Sequence, residues 1–470
     1  MKIQLQISLL LLLGCGGYVN AQSNYTNDRV YTANQVSNTV SVVDPSTNKL
    51  LGEIKLGIPF PNVLSPLYRG EVLVHGMGYS PLDKMLAVVS IGSNSVTLIS
   101  TETNKVLKKI YVGRSPHEAT FTPDGKQIWV TVRGEAYVSV IDAMSMKEIH
   151  RITVADGPGM VAFTIDGKLA YVCSSFTPEL DIVNTTTCKL IKRIPVVSPF
   201  SPNIFTSPDG RWIAMTHKDV GKVTIINTAS QSVAKVINTG PITNHVTFCY
   251  IKKKLMMLVS IGGENKVRVF DVNAGFKQTD TVMVGALPHG LWASKDGKLM
   301  YVGLEYADEV QGINLETMKT LTPVKIGQSP QALVYAINAV TKNNKTTGLP
   351  ALNDTVATQV FNLINNKRMQ GIGRIAVRSI GLTDLVEQIF NGLQPNHAYT
   401  LALSYSEKPP YRADYQINAF TTNEAGKYAG QSTGLIKTTG ATEMKDFKHI
   451  ILIDNATNHV ELLSQYLTTK

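Results

Sequence analysis

The chain has 470 residues, of which 43% are hydrophobic and 17% charged, and its formal net charge is +10 at pH 7. A chain of this length buries ample apolar core without disulfide support. The positive charge could favour acidic polymers or anionic surfaces. Its only notable cluster is the run Lys252–Lys254, which fits a solvated turn. Because no basic stretch has interleaved aromatic residues, we expect no nucleic-acid partner.

The amino terminus has the layout of a secretory signal peptide over residues 1–21. A basic start, the apolar run Ile7–Leu13 and the small-x-Ala site Val19-Asn20-Ala21 follow one another. We therefore expect an exported, mature chain that begins at Gln22 with a net charge of +9. In the alternative, processing at Cys15 leaves a lipid anchor. No other stretch has the roughly 20 apolar residues of a transmembrane helix, so the predicted location is periplasmic, cell-surface or secreted.

Three cysteines remain after removal of the signal peptide, namely Cys173, Cys188 and Cys249. An odd number without metal-like spacing does not indicate a disulfide framework. Cys173 lies in an apolar segment, where a cysteine is typically a small buried hydrophobic residue.

A unit of about 43 residues recurs along most of the chain. From Gly125 to Gly167 is 42 residues, from Gly167 to Gly210 is 43, and from Gly210 to Gly297 is 87, which leaves room for one degenerate copy. This period is the length of one four-stranded propeller blade. The repeated turns are Thr122-Pro123-Asp124-Gly125, Thr164-Ile165-Asp166-Gly167, Ser207-Pro208-Asp209-Gly210 and Ser294-Lys295-Asp296-Gly297.

Each copy also contains a segment rich in β-branched residues, as expected of a strand buried between blades. These segments are Val40–Asp44, Val96–Ser100, Val138–Asp142, Leu180–Asn184, Val223–Asn227, Val267–Asp271 and Val310–Asn314. They number seven, and we therefore predict an all-β fold with a seven-bladed propeller over residues 30–340. The first copy, starting at Val30, lacks an innermost strand, and Gln331–Tyr335 supplies one, so both ends should share the closing blade and remove open sheet edges.

The segments Val30–Asn34, Asn38–Asp44 and Thr47–Lys49 resemble the YVTN family of β-propeller repeats, and residues 94–113 and 114–142 are similar. The resemblance covers about two thirds of the chain. It implies a propeller of the kind found in exported and surface proteins of bacteria and archaea. The family has no single shared activity.

Residues 341–353 are polar, contain Gly348 and Pro350, and are typical of a linker. We predict a small β-sandwich module over residues 354–470. Its expected strands are Arg374–Arg378, Ala398–Leu403, Tyr415–Phe420 and His449–Ile453. The turn motifs between them resemble those of immunoglobulin-like modules of secreted bacterial proteins, which implies attachment or spacing. The sequence leaves Asp384–Asn391 open between a helical turn and a strand.

Alignment of the copies places several histidines at one position near the start of the innermost strand. The aligned residues are His75, His117, Gly159, Pro202, Asn244, His289 and Gln331, and His245, adjacent to Asn244, could replace it. Neutral imidazole binds zinc or copper and can act as a general base. The sequence therefore offers a candidate divalent-metal site at the channel mouth, the end of the central channel at which the innermost strands begin. Its members would be His75, His117, His245 and His289. The alternative is that each ring nitrogen bonds backbone at a blade junction.

A second aligned position, at the end of the second strand, carries Gln35, Ile91, Arg133, Ser175, Lys218, Gly262 and Glu305. Of these, Arg133, Lys218 and Glu305 could hold a charged ligand, although solvated loop charges give the same pattern. His217 lies beside Lys218.

Two functions follow as hypotheses. The first is an exported, non-enzymatic binding or scaffold protein that presents a propeller face to a protein, small molecule or glycan. The alternative is an enzyme at the channel mouth, either a lactonase-like hydrolase, since some related seven-bladed proteins resemble such enzymes, or a metal-dependent lyase. The sequence contains no nucleophile-elbow, zincin, haem-attachment or phosphate-loop motif, and it identifies no catalytic residue.

Overall fold

The computed structural model describes residues 25–57, 72–341, 348–352, 358–365, 372–379, 384–434 and 447–464. The predicted signal peptide and most of the predicted linker lie outside these ranges. The described chain is all-β apart from one short 3₁₀ turn, Gly262–Glu264. No helix in the described ranges is long and apolar enough to cross a membrane.

Seven sheets form the propeller, and each blade runs from an innermost to an outermost strand. Blade 1 contains β29 (Pro330–Ala336), β1 (Arg29–Asn34), β2 (Thr39–Asp44) and β3 (Lys49–Lys55). Blade 2 contains β4 (Val74–Ser80), β5 (Met85–Ser90), β6 (Ser95–Ser100) and β7 (Lys105–Tyr111). Blade 3 contains β8 (Pro116–Phe121), β9 (Gln127–Val132), β10 (Tyr137–Asp142) and β11 (Lys147–Thr153). Blade 4 contains β12 (Pro158–Phe163), β13 (Leu169–Ser174), β14 (Glu179–Asn184) and β15 (Lys189–Pro195).

The remaining blades follow the same order. Blade 5 contains β16 (Ile204–Thr206), β17 (Trp212–His217), β18 (Lys222–Asn227) and β19 (Ser232–Asn238). Blade 6 contains β20 (Thr243–Ile251), β21 (Lys254–Ile261), β22 (Lys266–Asp271) and β23 (Lys277–Met283). Blade 7 contains β24 (Pro288–Ala293), β25 (Leu299–Leu304), β26 (Glu309–Asn314) and an outermost strand in two pieces, β27 (Lys319–Thr320) and β28 (Val324–Lys325).

The two ends of the repeat region close the ring as the sequence predicts. Strand β29 pairs antiparallel with β1, with Tyr335 opposite Val30 and Val334 opposite Tyr31. The seven-bladed propeller with a shared closing blade is therefore confirmed.

The core of the propeller lies between neighbouring blades. Second and third strands are almost wholly buried, whereas outermost strands such as β15 are mostly exposed. One apolar cluster, for example, joins Leu98 of blade 2 to Ile128 and Val130 of blade 3. β-Branched and aliphatic side chains fit this pleated, two-sided environment, which explains why the third strands carry the clearest repeat. Cys173 is also buried there, as expected.

The aspartate-glycine turns form as their chemistry requires. Thr122 Oγ1 donates to Asp124 Oδ1 at 2.7 Å, and Gly125 adopts a φ of +73°, a conformation that glycine reaches without steric cost. In the degenerate sixth blade, Lys252 and Lys253 form the turn instead, with φ values of 48° and 67°. The exposed lysine run therefore comprises this turn and Lys254, the first residue of β21, in agreement with the solvated turn that the sequence predicts.

The carboxyl-terminal region forms one eight-stranded sheet. Its strands are β30 (Gln359–Ile364), β31 (Ile372–Ser379), β32 (Asp384–Asn391), β33 (Ala398–Ser404), β34 (Tyr415–Thr421), β35 (Tyr428–Gly434), β36 (His449–Asp454) and β37 (His459–Ser464). They pair in the order β34-β33-β36-β37-β30-β31-β32-β35. The segment left open by the sequence, Asp384–Asn391, is therefore a strand.

This sheet curls until its two edge strands meet. Phe420 of β34 stacks on Tyr428 of β35 with ring centroids 3.9 Å apart, and Asn418 donates to the Tyr428 hydroxyl at 3.1 Å. The enclosed core contains Val386, Phe390 and other apolar side chains. The region is thus a nearly closed β domain with its own core.

Candidate functional site

The candidate site is the channel mouth, the end of the propeller at which the innermost strands begin. Six of the seven blades carry a register shift there, for example between Pro116 and Ala119 in β8 and between Thr243 and Val246 in β20. Such a bulge places two residues of one strand opposite a single residue of its partner and changes the direction of their side chains. The shift recurs at the position where sequence alignment places the histidines.

The bulges fix the equivalence of the residues around the mouth. Thr243 and Val246 match Pro116 and Ala119 in register, so Asn244 is equivalent to His117. The sequence-based suggestion that His245 replaces Asn244 is therefore wrong. His245 instead follows the aligned position by one residue.

The mouth brings the four predicted histidines together as two pairs. The rings of His75 and His117 have centroids 4.5 Å apart, and those of His245 and His289 are 4.9 Å apart. His117 and His289 are buried, whereas His75 and His245 are partly exposed.

Two of these histidines also bond backbone at a blade junction, as the alternative reading of the sequence proposed. His117 Nδ1 donates to the carbonyl oxygen of Gly159 at 2.8 Å, and His289 Nδ1 donates to that of Gln331. Both acceptors are the aligned residues of the next blade. These bonds place the proton on Nδ1 and leave the Nε2 lone pair free, so the blade-junction role and a ligand role are compatible.

Burial keeps the histidines neutral. Desolvation lowers the pKa of His75 and of His245 to about 3 and holds the pKa of His117 and His289 well below the usual value. Arg133 adds to the effect at His75 and His117. Neutral imidazoles can accept hydrogen bonds or ligate a metal ion, but they supply no positive charge.

A second ring of residues, one position further along each innermost strand, lines a narrow cavity in the channel. Its polar members are Glu118, Asn203 and His245, and Met160 lies among them. Glu118 Oε1 accepts a hydrogen bond from the backbone amide of Met77 at 2.6 Å. Burial raises the pKa of Glu118 to about 8.

Glu118 was missed by the sequence reasoning, although it stands next to His117. Neighbouring residues of a regular strand point to opposite faces, so the two side chains were not expected to share a site. The bulge removes that alternation. In the blades on either side of the closing blade, glycine occupies the position of Glu118. A Cβ on Gly76 would lie 2.1 Å from the His117 carbonyl oxygen, so the strands there approach too closely for a side chain.

The second predicted set consists of Arg133, Lys218 and Glu305. Each is the first residue of the loop that follows the second strand of its blade, and these loops lie on the same face of the propeller as the mouth. Arg133 is partly buried, and its guanidinium lies 5.5 Å from the ring centres of both Phe176 and Phe200. Lys218 is also partly buried, and within the described residues its ammonium group has no hydrogen-bond or ion-pair partner. Burial lowers the pKa of both cations, while the charge of Glu305 opposes the decrease at Lys218.

Glu305 belongs to the opposite side of the mouth. Its Oε2 lies 4.0 Å from His289 Nε2 and has no hydrogen-bond partner among the described residues. Its backbone carbonyl accepts a hydrogen bond from Arg378 of the carboxyl-terminal domain. Glu305 thus stands between the histidine pair and the domain junction.

His217, beside Lys218, is fully buried, and both of its ring nitrogens contact hydroxyl groups of its own blade region. Its Nδ1 lies 2.9 Å from Ser201 Oγ and its Nε2 lies 2.7 Å from Thr224 Oγ1. Desolvation lowers its pKa to about 4. With both ring nitrogens engaged, His217 holds the blade together.

The carboxyl-terminal domain packs against the same propeller face. Arg378 is fully buried, forms an ion pair with Asp308 at 3.0 Å, and also pairs with Glu387 of its own domain. Asn391 donates to the Gly263 carbonyl at 2.8 Å. An apolar cluster joins Ala286, Leu287, Tyr306, Ala376 and Ile389 across the junction. The domain therefore flanks the mouth beside blades 6 and 7, whereas Arg133 and Lys218 arise from blades 3 and 5.

The structure defines the class of the protein as a seven-bladed β-propeller with an appended β domain. No protein-family model matches the chain, and no curated protein matches it. The chain is similar in structure to hydrazine synthase of Kuenenia stuttgartiensis, with a TM-score of 0.52, 20% identity, and coverage of 57% of this chain and 91% of that one.

It is also similar to a functionally unknown protein from Desulfotomaculum acetoxidans DSM 771, with a TM-score of 0.55, 12% identity, and coverage of 66% of this chain and 99% of that one. At these identities the likenesses support the propeller fold alone. The YVTN and immunoglobulin-like resemblances stay predictions.

Proposed function

We propose that the protein is an exported binding protein whose channel mouth recognises an anionic group, such as a carboxylate or phosphate, on a small ligand or a partner. The observation that carries this proposal is the pair of partly buried cations, Arg133 and Lys218, that have no ion-pair partner among the described residues. A buried charge without a partner costs free energy, which a bound anion would offset.

The surroundings of Arg133 favour this role. Two aromatic rings flank its guanidinium and restrict its motion. Such stacking leaves the planar donors at the edge of the group available for bidentate contact with a carboxylate or phosphate. Phe176, which is 53% exposed, extends this surface toward solvent.

The neutral histidines fit the same ligand. His117 and His289 are buried beside the cations, and Lys218 and Arg133 are among the groups that lower their pKa. A bound anion would oppose that effect and raise the histidine pKa values. Ligand binding should therefore move the titration of these histidines toward higher pH.

The test is calorimetric titration of the mature protein with citrate and with inorganic phosphate at low ionic strength. Charge-assisted hydrogen bonds are worth about 1.5–3 kcal/mol, so Arg133→Met and Lys218→Met should each weaken binding about tenfold or more. The control is Lys295→Met, which removes an exposed lysine on the opposite face. Absence of binding, or equal affinity in all four proteins, would contradict the proposal.

Export is part of the proposal and has its own test. The mass of the mature amino terminus should correspond to a chain that begins at Gln22 or, if the lipid alternative holds, at an acylated Cys15. An intact Met1 on protein recovered from the producing cells would contradict export. Neither the structure nor the comparisons favour the hydrolase alternative.

A further inference from the structure

We propose that His75, His117 and Glu118 form a binding site for one divalent transition-metal ion at the channel mouth, distinct from the anion contacts of Arg133 and Lys218. One donor atom from each of the three residues lies within 4.8 Å of the others. Two imidazoles and one carboxylate are a donor set that suits zinc and neighbouring first-row ions.

The β-bulge is what allows this donor set. His117 and Glu118 are consecutive in β8, where regular pleating would direct them apart. The register shift between Pro116 and Ala119 lets both contribute to one cluster. His75 comes from the adjacent blade, and its ring packs against that of His117.

Two of the donors are already oriented by outer hydrogen bonds. His117 donates Nδ1–H to Gly159, so Nε2 is its free donor atom, and the Glu118 carboxyl group receives the Met77 amide on Oε1 and also interacts with the Ala119 backbone. Outer partners of this kind fix the tautomer and direction of metal-binding side chains. His75 Nδ1 approaches the His117 backbone but is buried without a hydrogen bond of normal geometry.

Metal binding requires only a small closure of the cluster. In a tetrahedral site with bonds of about 2.1 Å, neighbouring donors are about 3.4 Å apart. Side-chain movements of about 1 Å would bring the three donors to that spacing. Burial disfavours the charged form of Glu118, and a bound cation would stabilise that form.

The other two histidines fit this role less well. His245 Nδ1 faces the amide group of Asn203 at 3.3 Å, which places the His245 proton on Nε2, and His289 Nε2 faces Glu305. The sequence predicted one metal site from all four histidines, whereas the geometry favours one pair together with Glu118.

Arg133 provides a test that separates the metal site from the anion site. Its positive charge acts on both His75 and His117, so it should weaken the binding of a cation there. Arg133→Gln should therefore tighten metal binding severalfold while it weakens citrate binding. Failure of the citrate experiment would leave the metal prediction intact, and the reverse also holds.

The experiment uses mature, full-length protein treated with EDTA and then titrated with Co²⁺. Visible absorption reports the coordination of Co²⁺, and competition by Zn²⁺ gives its affinity. We expect one ion per chain and a loss of affinity of at least tenfold in both His117→Ala and Glu118→Gln, with circular dichroism used to verify folding. His150→Ala, at an exposed position of β11, is the control and should bind as the wild type does.

Absence of stoichiometric binding, or unchanged affinity in Glu118→Gln, would overturn the proposal. It would equally be overturned if His289→Ala abolished binding while His117→Ala did not. Glu118→Gln keeps the size of the side chain and an acceptor for the Met77 amide, so this variant reports on ligation even if His117→Ala folds poorly.

Discussion

Glu118 should make the metal-free protein less stable as pH rises from 6.5 to 8. Its folded-state pKa of about 8 is above the unfolded value of 4.5, so the folded protein retains a proton that the unfolded chain has released. A group of this kind contributes stability at low pH that is lost as pH rises toward the folded pKa. At 1.36 kcal/mol per pKa unit, the loss across this interval is about 2 kcal/mol.

The assay is urea unfolding at four pH values from 6.5 to 8 in the presence of EDTA. Tryptophan fluorescence reports on the propeller, which contains all three tryptophans: Trp129, Trp212 and Trp292. Wild type should lose about 2 kcal/mol more than Glu118→Gln across the interval, because the glutamine has no proton to release. The comparison cancels every other titrating group that the two proteins share.

Glu316→Gln is the matched control, since the Glu316 side chain is exposed. Its stability profile should run parallel to that of the wild type. If the profile of Glu118→Gln is also parallel to the wild type, Glu118 is not held protonated by burial, and the reasoning is refuted.

Three further predictions concern stability. Arg378→Met removes the buried arginine partner of both Glu387 and Asp308 at the domain junction, and among the described residues only Asp308 keeps another ion pair, with the half-exposed Lys325. This variant should lower the free energy of unfolding, measured by circular dichroism in urea, by about 3–5 kcal/mol. Arg374→Met in the same strand removes only an exposed hydrogen bond to Asn362 and should lower the free energy of unfolding by less than 1 kcal/mol. Equal effects of the two substitutions would refute the burial argument. Gly76→Ala should lower the free energy of unfolding by about 2–3 kcal/mol, because the added Cβ would clash with the His117 carbonyl oxygen. Gly303→Ala is the control and should leave the free energy of unfolding nearly unchanged, because its added Cβ would have its nearest contact at 3.4 Å. Burial keeps the folded-state pKa of His217 near 4, whereas the unfolded value is 6.5, so the unfolded chain gains a proton first as pH drops. The free energy of unfolding should therefore fall by about 3 kcal/mol between pH 6.5 and pH 4. The same fall in His217→Gln would contradict this reasoning.

The propeller could be predicted from sequence because each blade repeats local chemistry. Turns such as Thr122–Gly125 depend on neighbouring side chains and on a positive φ at glycine, and the strands between them are selected for burial on both faces. These signals are short-range, and the strand pattern recurs seven times and the aspartate-glycine turn four times. The alignment therefore placed His75, His117 and His289 at one channel mouth.

The rest of the site depends on contacts that a linear pattern does not contain. The pairing of Glu118 with His117 requires a bulge, and the stacking of Phe176 and Phe200 on Arg133 joins residues from three consecutive blades. A repeat alignment identifies equivalent positions but not the side chains that meet between blades.

The carboxyl-terminal domain was predicted less completely for a related reason. Four of its strands could be predicted because their apolar residues alternate or run continuously. The order of the sheet, however, brings distant segments together, as where Phe420 meets Tyr428 at the closing edges. Its docking beside the mouth depends on Arg378, an arginine that sequence alone would place on the surface and that the structure buries fully.

The central claim is that the channel mouth is the ligand-binding site, and histidine NMR tests it most directly. In long-range ¹H–¹⁵N spectra of the mature protein at pH 6, titration with citrate should shift the imidazole resonances of His75, His117, His245 and His289. The resonances of the exposed His150 and His459 should remain unchanged. Citrate binding that leaves the four mouth histidines unchanged, or no change anywhere in the spectrum, would contradict the account.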